Sequence, residues 1–481
     1  MANPDRLSGL DSSFLHLERD AAHMHVAACA VFAGSAPAYD DLVEMISSRL
    51  HLVPRYRQRL AFVPFDQGRP VWVDDPHFNV RYHVRHTALP RPGSDAQLGR
   101  LAGRVFSQAL DRARPLWELW LVEGLANDHF ALLSKTHHAL VDGISGVDIA
   151  TVLFDSSPDP VPVAPPEDPW VPRPPPSGAQ LLADALVERA TLPVEIGRGL
   201  RATVRGPRRM AGRIGGALAG VGALAWAGLD AAPASPFNVK IGPHRRFTWV
   251  RCELAQFKAI KNALGATVND AVLCVIAGAL GSYMRLHGEP TDDVELKALV
   301  PVSVRTNADI STAAFGNRVA AMWVSLPVGI TDPVQRLAGI RESTEGIKDS
   351  AQAVGAQVLT ELSGFAPPTI LAQAARLQAR QRLFNLVITN VPGPQLPLYV
   401  LGRELEALYP MVPLAENTAL GIAVISYNGQ LTFGLIADYD ALADVQTLAQ
   451  ELRRCVEELV LATDSDGRDG GSPAPAVPTV P

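Results

Sequence analysis

Residues 130–143 read FALLSKTHHALVDG, and this stretch decides how the rest of the chain is interpreted. The apolar residues at its start predict a buried strand. Residues 144–153 come next, with an apolar spacing that suits a helix. His137 and His138 are therefore expected where a strand ends and a loop begins. Loops held by rigid elements carry much of catalytic chemistry, and imidazole readily exchanges a proton near neutral pH.

The residues after the histidines suit a tight loop. Asp142 lies four positions after His138, close enough to support either the turn or the imidazole ring. Gly143 allows the backbone to bend there without a steric penalty from a side chain. We expect both residues to shape the loop that presents the histidines.

A pair of histidines is also typical of a metal site, or of two hydrogen-bonded core residues. A zinc site normally has three or four ligands with a recognisable spacing, such as H-E-x-x-H or C-x-x-C. Neither spacing occurs, and the four cysteines are far apart in the sequence: Cys29, Cys252, Cys274 and Cys455. A metal site is therefore the less favoured role, and a pair of hydrogen-bonded core residues stays open beside a catalytic role.

The pattern H-H-x-x-x-D-G resembles the acyl-transfer motif of the superfamily that contains chloramphenicol acetyltransferase and condensation domains. Further stretches narrow the resemblance to the bacterial wax ester synthase/diacylglycerol acyltransferases. The matches run in that family's order from Leu10 and Asp11 to Asp438. They include PLW at 115–117, ND at 269–270, PVSVR at 301–305, TNVPGP at 389–394 and SYNGQLTFG at 426–434.

This resemblance implies an α/β fold of two chloramphenicol-acetyltransferase-like domains with mixed sheets and a central tunnel between them. It implies transfer of a fatty acyl group from acyl-coenzyme A to diacylglycerol or to a long-chain fatty alcohol. The thioester is already activated, so the reaction needs a base for the acceptor hydroxyl and a donor for the oxyanion, but no protein nucleophile. No metal, nicotinamide or flavin is implied, and acyl-coenzyme A is the substrate.

The resemblance also assigns roles to residues. His138 is the general base, and His137 is the other histidine of the motif. Asp142 is expected to be structural, with Arg305 as the partner of its carboxylate, because a buried carboxylate needs a paired charge. Gly143 and Asn269 are expected to bind substrate, with Asn269 as an orienting or oxyanion group. The absence of a G-x-S-x-G elbow argues against a serine hydrolase.

Asn269 has a second interpretation that needs no substrate. Thr267 is a plausible cap for a long apolar helix that reaches Leu286, which places Asn269 and Asp270 in the first turn. Free backbone amides there can position polar atoms. Helix capping alone explains the two residues equally well.

Composition and length agree with a globular protein of more than one domain. The chain has 481 residues, which is too long for one ordinary hydrophobic core. Its residues are 47% hydrophobic and 19% charged, as is typical of a globular protein. A formal charge of −6 gives no reason to propose a nucleic-acid partner. Sparse cysteines fit a reducing cytosol. No signal-peptide core and no run of about 18 apolar residues is present, so we expect a cytoplasmic protein, soluble or peripheral to a membrane or lipid droplet.

Composition along the chain, together with the family resemblance, predicts four parts. Residues 1–157 form the N-terminal acyltransferase domain with the histidine motif, and 158–245 form a proline-rich linker with a basic and apolar helical connector. Residues 246–463 form the C-terminal acyltransferase-like domain, and 464–481 form a disordered tail. Strands are predicted at 25–32, 117–125, 247–252, 294–302 and 383–389, with helices at 39–50, 95–110, 254–264 and 443–462. An NG turn predicts a hairpin over 420–436.

One tryptophan and three histidines within residues 1–157 are expected to have structural roles and not to contact substrate. Trp117 is expected in the core, because large aromatic side chains mostly serve packing. His77, His83 and His86 alternate with apolar residues and are expected on solvated strand faces.

The connector contains a candidate membrane-binding segment at 198–229. Arg198, Arg201, Arg205 and Arg208 recur at helical spacing, and an apolar run from Ile214 to Leu229 comes after them. Such a segment attracts anionic lipid and can lie in a bilayer interface. Packing of the apolar run against the second domain explains it equally well.

Two competing functions stay open from the sequence. One is a same-fold acyltransferase that acts on another lipid alcohol or on a carrier-bound substrate, because acceptor choice depends on the shape of the tunnel. The other is a non-catalytic lipid-binding protein. The intact histidine motif disfavours the second.

Overall fold

The computed structural model describes residues 5–141, 152–159, 162–188, 231–303, 319–348 and 382–466. Its helices are α1 (Gly9–Leu17), α2 (Tyr39–Arg49), α3 (Val80–His83), α4 (Asp95–Phe106), α5 (His138–Val141), α6 (178–188), α7 (Leu254–Leu264), α8 (Val268–Leu286), α9 (Pro333–Lys348) and α10 (Val445–Asp466). Its strands are β1 (His25–Ala33), β2 (Gln58–Ala61), β3 (Val71–Asp74), β4 (Val84–Ala88), β5 (Trp117–Leu125), β6 (His129–His137), β7 (Arg245–Glu253), β8 (Glu295–Ser303), β9 (Val319–Pro327), β10 (Leu386–Pro392), β11 (Tyr399–Val400), β12 (Arg403–Met411), β13 (Leu420–Tyr427) and β14 (Gln430–Asp438).

Two six-stranded sheets dominate the architecture, and both are mixed as expected. The first has the order β11-β12-β1-β6-β5-β4, with a parallel pair only between β4 and β5. The second has the order β7-β14-β13-β10-β8-β9, where β10 runs parallel to both β13 and β8. β2 and β3 form a small separate sheet. The predicted α/β class with mixed sheets is confirmed, and the central tunnel stays a prediction.

The hairpin of β5 and β6 positions the histidine motif at the end of β6. Trp117 pairs with Thr136, and the strands run antiparallel toward a turn at 126–128. Trp117 is 1% exposed and its indole donates to the carbonyl of Tyr56 at 2.8 Å, which confirms its place in the core. The strand ends at His137, as the sequence predicts.

The second sheet carries a long helix whose start the sequence predicts well. In α8, the Thr267 side chain accepts from the backbone N–H of Asp270, and the Asp270 carboxylate accepts from Thr267 in return. This capping box satisfies amides that a helix start leaves unpaired. Residues 270–284 of α8 are all buried, so the helix forms the core of the second half.

The two halves are joined more closely than their order in the sequence suggests. β11 and β12 lie near the C-terminus yet complete the first sheet, where Ala27 of β1 pairs with Met411. A side chain at Gly434 of β14 would place its Cβ 1.8 Å from the carbonyl oxygen of Pro410, so only glycine permits the contact between β14 and β12. The predicted division of the chain into two domains at the linker 158–245 stays a prediction. That prediction did not include the return of residues 399–411 to the first sheet.

One expectation for the first half is wrong. His83 is 2% exposed, not solvated, because its Nδ1 lies 2.8 Å from the carbonyl oxygen of Trp117 and its ring stacks on the indole at 4.7 Å. His86 lies at the surface, 2.8 Å from Glu123. A histidine that fills a polar gap in the core has the same local sequence pattern as one on a surface strand.

No single helix within the described ranges is long and apolar enough to cross a membrane. The pair α7 and α8 passes that test only when taken together, across a bend of 102°. The second of these helices is the buried core helix described above.

Candidate active site

His137 is the last residue of β6 and is held from three directions. Its backbone N–H donates to the carbonyl of Leu116 at 2.9 Å. Its ring Nδ1 accepts the backbone N–H of Ala139 at 3.1 Å, so the ring proton of the neutral imidazole lies on Nε2. Nε2 faces the Glu18 carboxylate at 3.5 Å, and the side chain is 1% exposed. Burial and two fixed ring contacts leave His137 little freedom to meet a substrate.

His138 has different surroundings. It begins the short helix α5, and its backbone N–H donates to the carbonyl of Met24 at 2.8 Å. Its ring stacks on Phe14 with 4.0 Å between centroids and 26° between planes. His138 is only half-buried, whereas His137 is enclosed. Of the two histidines, His138 is the one with a ring that solvent or a substrate can approach.

Glu18 is the acidic residue at the centre of this site, and no pattern in the sequence marks it. Its side chain, 9% exposed, lies just after the last turn of α1 and faces Arg112, His23 and His137. The Arg112 Nε donates to it at 2.9 Å. Burial alone raises the pKa of a carboxyl group, but the contacts with His137, His23 and Arg112 hold the pKa of Glu18 well below its usual range. Glu18 is therefore a permanent negative charge beside the motif.

The strand behind the motif carries two further buried basic side chains. His25 pairs in register with His137, and its Nε2 donates to the carbonyl of Phe106 at 2.7 Å. Burial lowers the pKa of His25 well below its ordinary value, which keeps it neutral. Lys135 is 1% exposed; its Nζ donates to the carbonyls of Val105 and Gln108 and lies 3.2 Å from Glu118. These contacts tie β6 to the end of α4.

Asn269 lies in a second group, built on the second sheet. Asn390 of β10 donates from Nδ2 to Asn269 Oδ1 at 3.1 Å, which brings the predicted ND and TNVPGP elements into contact. Capping of α8 is done by Thr267 and Asp270, and Asp270 also accepts from Thr344 at 3.0 Å. Asn269 is thus not needed for capping. The amide N–H groups of Asn269 have no partner among the described residues, and its role toward substrate stays a prediction.

The structure brings only some of the predicted site residues together. His137 and His138 share one site with Glu18 and Phe14, and Asn269 meets Asn390. Asp142, Gly143 and Arg305 lie outside the described residues, as does the segment 198–229. The expected pairing of Asp142 with Arg305 therefore stays a prediction.

Comparison with protein families matches most of the chain. The model described as wax ester synthase/diacylglycerol acyltransferase catalytic domain matches residues 7–272. The WS/DGAT C-terminal domain matches residues 315–460. The first match contains both histidines, Glu18 and Asn269.

Individual relatives give the same result. The chain is 35% identical over 460 residues to a Mycobacterium tuberculosis protein named as a diacylglycerol O-acyltransferase, covering 95% of this chain and 96% of the relative. Another named in the same way from that organism is 32% identical over 474 residues, covering 96% and 91%.

Solved structures agree at the level of fold. A wax ester synthase/diacylglycerol acyltransferase from Marinobacter aquaeolei VT8 superposes with a TM-score of 0.66 at 29% identity, covering 95% of this chain and 100% of that one. A trichothecene 15-O-acetyltransferase from Fusarium sporotrichioides, at 14% identity and a TM-score of 0.57, shares the fold alone over 95% and 94% of the two chains. The chain belongs to the wax ester synthase/diacylglycerol acyltransferase family of acyltransferases.

Proposed function

We propose that this protein transfers a fatty acyl group from acyl-coenzyme A to the hydroxyl of diacylglycerol, of a long-chain fatty alcohol, or of both. The names of the relatives support diacylglycerol as acceptor, and the family description includes wax ester synthesis. The products are triacylglycerol and wax ester.

The proposed chemistry is a direct transfer. His138 takes the proton of the acceptor hydroxyl as its oxygen attacks the thioester carbonyl carbon. The tetrahedral oxyanion collapses, the C–S bond breaks, and the coenzyme A thiolate takes the proton back from the imidazolium. No covalent acyl-enzyme is formed. Asn269 is the proposed donor to an oxygen of the substrate, because its Oδ1 accepts from Asn390 and its side-chain N–H groups meet no acceptor in the part of the chain that the structure describes.

The contrast between the two histidines is the observation that carries the choice of base. A general base must reach the proton that it removes. His137 is enclosed, with Nδ1 bonded to Ala139 and Nε2 facing Glu18. His138 is half-buried and its ring is braced on one face by Phe14. His138 therefore suits the role of base, and His137 that of a residue that positions it.

Alanine substitutions test this assignment. His138→Ala should lower kcat by about 10²–10⁴-fold, the usual cost of removing a general base, while the melting temperature stays near that of the wild type. His137→Ala should lower kcat and stability together, because it removes a buried, paired side chain. Near-wild-type turnover in His138→Ala, with loss in His137→Ala, would reverse the assignment.

A panel of acceptors tests the substrate. Purified protein is incubated with labelled palmitoyl-coenzyme A and diacylglycerol, monoacylglycerol or hexadecanol, and the lipid products are separated. We expect labelled triacylglycerol, wax ester or both. Acylation of none of these, with coenzyme A release on another lipid alcohol or a carrier-bound substrate, would favour the same-fold alternative. Lipid binding with no transfer would favour a binding protein.

We further propose that the protein is cytoplasmic and docks on membranes or lipid droplets through the connector. Helix α6 leads into the segment that contains Arg198, Arg201, Arg205 and Arg208, and it exposes Leu186 and Val187. Phe65 is 83% exposed on the loop packed beside α6, where a Cβ on Gly68 would lie 2.9 Å from Ala185. Exposed apolar side chains on and beside α6, which precedes the basic segment in the sequence, support an anionic lipid surface as the partner.

Vesicle co-sedimentation tests the docking. Binding to anionic vesicles should fall at high salt, with the four arginines changed to Gln, and with Phe65→Ser. Neutral vesicles provide the control. Absence of binding, or binding that ignores salt and all of these substitutions, would contradict the proposal.

A further inference from the structure

We propose that Glu18 is a positioning residue for acyl transfer, whose carboxylate holds His137 in one tautomer and thereby fixes the backbone that carries His138. The inference rests on the proposed role of His138 as general base. Glu18 lies about 120 positions before the histidine motif in sequence, so the motif alone does not reveal it.

The tautomer is set by the group that each ring nitrogen of His137 faces. A neutral imidazole has one donor and one acceptor nitrogen. Nδ1 receives the N–H of Ala139, so it must be the acceptor, and Nε2 must carry the proton. Nε2 faces the Glu18 Oε2 at 3.5 Å, where a carboxylate favours the proton-bearing nitrogen. Nε2 makes no hydrogen bond to any residue that the structure describes, and the Glu18 carboxylate is the negative charge nearby that favours Nε2–H over Nδ1–H.

The tautomer matters because Ala139 is the residue after His138. In the Nδ1–H form, the ring of His137 and the backbone of Ala139 would present two donors to each other. The first turn of α5 would then lose the contact that holds it against the end of β6. His138 begins that turn, so its ring would move with it.

Helix α1 fixes both histidines from one side. Phe14 stacks on the ring of His138, and Glu18 lies one turn later, at the end of the same helix. Arg112 holds this end of α1, since its guanidinium donates to Glu18 and to the carbonyl of Leu15 at 3.1 Å. His23 also faces the carboxylate, with its Nδ1 at 3.5 Å. One carboxylate thus links the arginine that holds the end of α1 to the histidine that holds the start of α5.

Three variants separate the link to His137 from the link to Arg112. Glu18→Met keeps the bulk of the side chain and removes the acceptor, and it should lower kcat by about 100-fold, because a misplacement of about 1 Å has that effect. Glu18→Gln keeps an acceptor oxygen for His137 and should recover most of this loss. Arg112→Gln leaves Glu18 beside His137, so it should lower the melting temperature as Glu18→Met does but reduce kcat far less. KM for acyl-coenzyme A should stay within about threefold in all three.

Two readouts decide the proposal. Nitrogen-15 spectra of histidine-labelled protein, with the His137 signals assigned by His137→Ala, should show Nε2–H in the wild type and a tautomer mixture in Glu18→Met. In a His137→Ala background, Glu18→Met should have little further effect on kcat. An unchanged tautomer in Glu18→Met, or equal kcat losses in Glu18→Met and Arg112→Gln, would overturn the proposal. Full activity of His138→Ala would instead overturn the assignment of His138 as general base. The spectra report the tautomer of His137 without any substrate, so they test the role of Glu18 separately from the proposed function.

Discussion

The buried Lys135 allows a quantitative test of the contacts that hold β6, the strand that ends at His137, against the end of α4. Lys135→Met keeps the length of the side chain and removes three contacts, to the carbonyls of Val105 and Gln108 and to Glu118. Removing one partner of a buried ion pair costs about 3–5 kcal/mol. Glu118 keeps Arg85 at 3.0 Å and the Trp120 indole at 3.2 Å, so we expect the lower end of this range, about 3 kcal/mol.

Thermal unfolding measures this cost. The melting temperature should fall by about 5–10 °C if the unit that unfolds has the size of one half of the chain. Lys258→Met is the matched control, because Lys258 is exposed on α7 and its loss should cost less than about 0.5 kcal/mol. Folded Lys135→Met should keep kcat within about threefold, since Lys135 contacts neither histidine ring. Equal melting temperatures for the two variants would refute the argument.

The pH dependence gives a second measurement. Burial lowers the pKa of Lys135, against the attraction of Glu118. The unfolded chain therefore holds the ammonium proton of Lys135 more tightly than the folded protein does. The free energy of unfolding rises with pH between the lowered pKa of Lys135 in the folded protein and its ordinary value near ~10.4. The stability difference between wild type and Lys135→Met should grow over that window. A difference that shrinks with rising pH would contradict the stated sign.

Three further substitutions test other contacts. Phe14→Leu removes a stacked pair worth about 0.5–1.5 kcal/mol and should lower kcat/KM about 2–10-fold, with Phe14→Tyr near wild type. A loss confined to stability would contradict it. Asn390→Ala removes one hydrogen bond from Asn269 and should lower kcat/KM about fivefold at an unchanged melting temperature; unaltered kinetics would leave Asn269 without a role in transfer. Gly434→Ala should lower the free energy of unfolding by at least about 1–3 kcal/mol, because the added Cβ would clash with the carbonyl of Pro410. Gly339→Ala is the control and should leave the melting temperature unchanged, because the nearest atom to its added Cβ is 3.5 Å away.

Local patterns predicted most individual elements of the fold. The strand that ends at His137, the cap at Thr267 and the hairpin around the Asn428 turn are all confirmed. Each depends on residues within one or two turns of one another, which is why sequence reasoning reaches them. The predicted helix at 95–110 ends earlier, at Phe106, because the end of a helix also depends on tertiary contacts of the neighbouring residues.

Contacts between distant segments could not be predicted in this way. Strand β12 has an alternating burial pattern that its sequence, RELEALYPM, could have suggested, but nothing local says that it pairs with β1. Glu18 resembles a surface residue at a helix end until Arg112 and His137 are placed around it. The histidine motif predicts where the candidate site lies, whereas the Glu18 charge beside His137 is visible only in the tertiary structure.

The pairing of β1 with β12 has a consequence for synthesis of the chain. The partner of β1 emerges from the ribosome about 370 residues later, which takes roughly 20–75 s at usual elongation rates. During that interval one edge of β1 cannot form its native pairing, and an open strand edge is a template for aggregation. Nascent chains of this protein should therefore depend on chaperones until the last quarter is translated, and truncation before residue 403 should yield insoluble protein rather than an N-terminal domain.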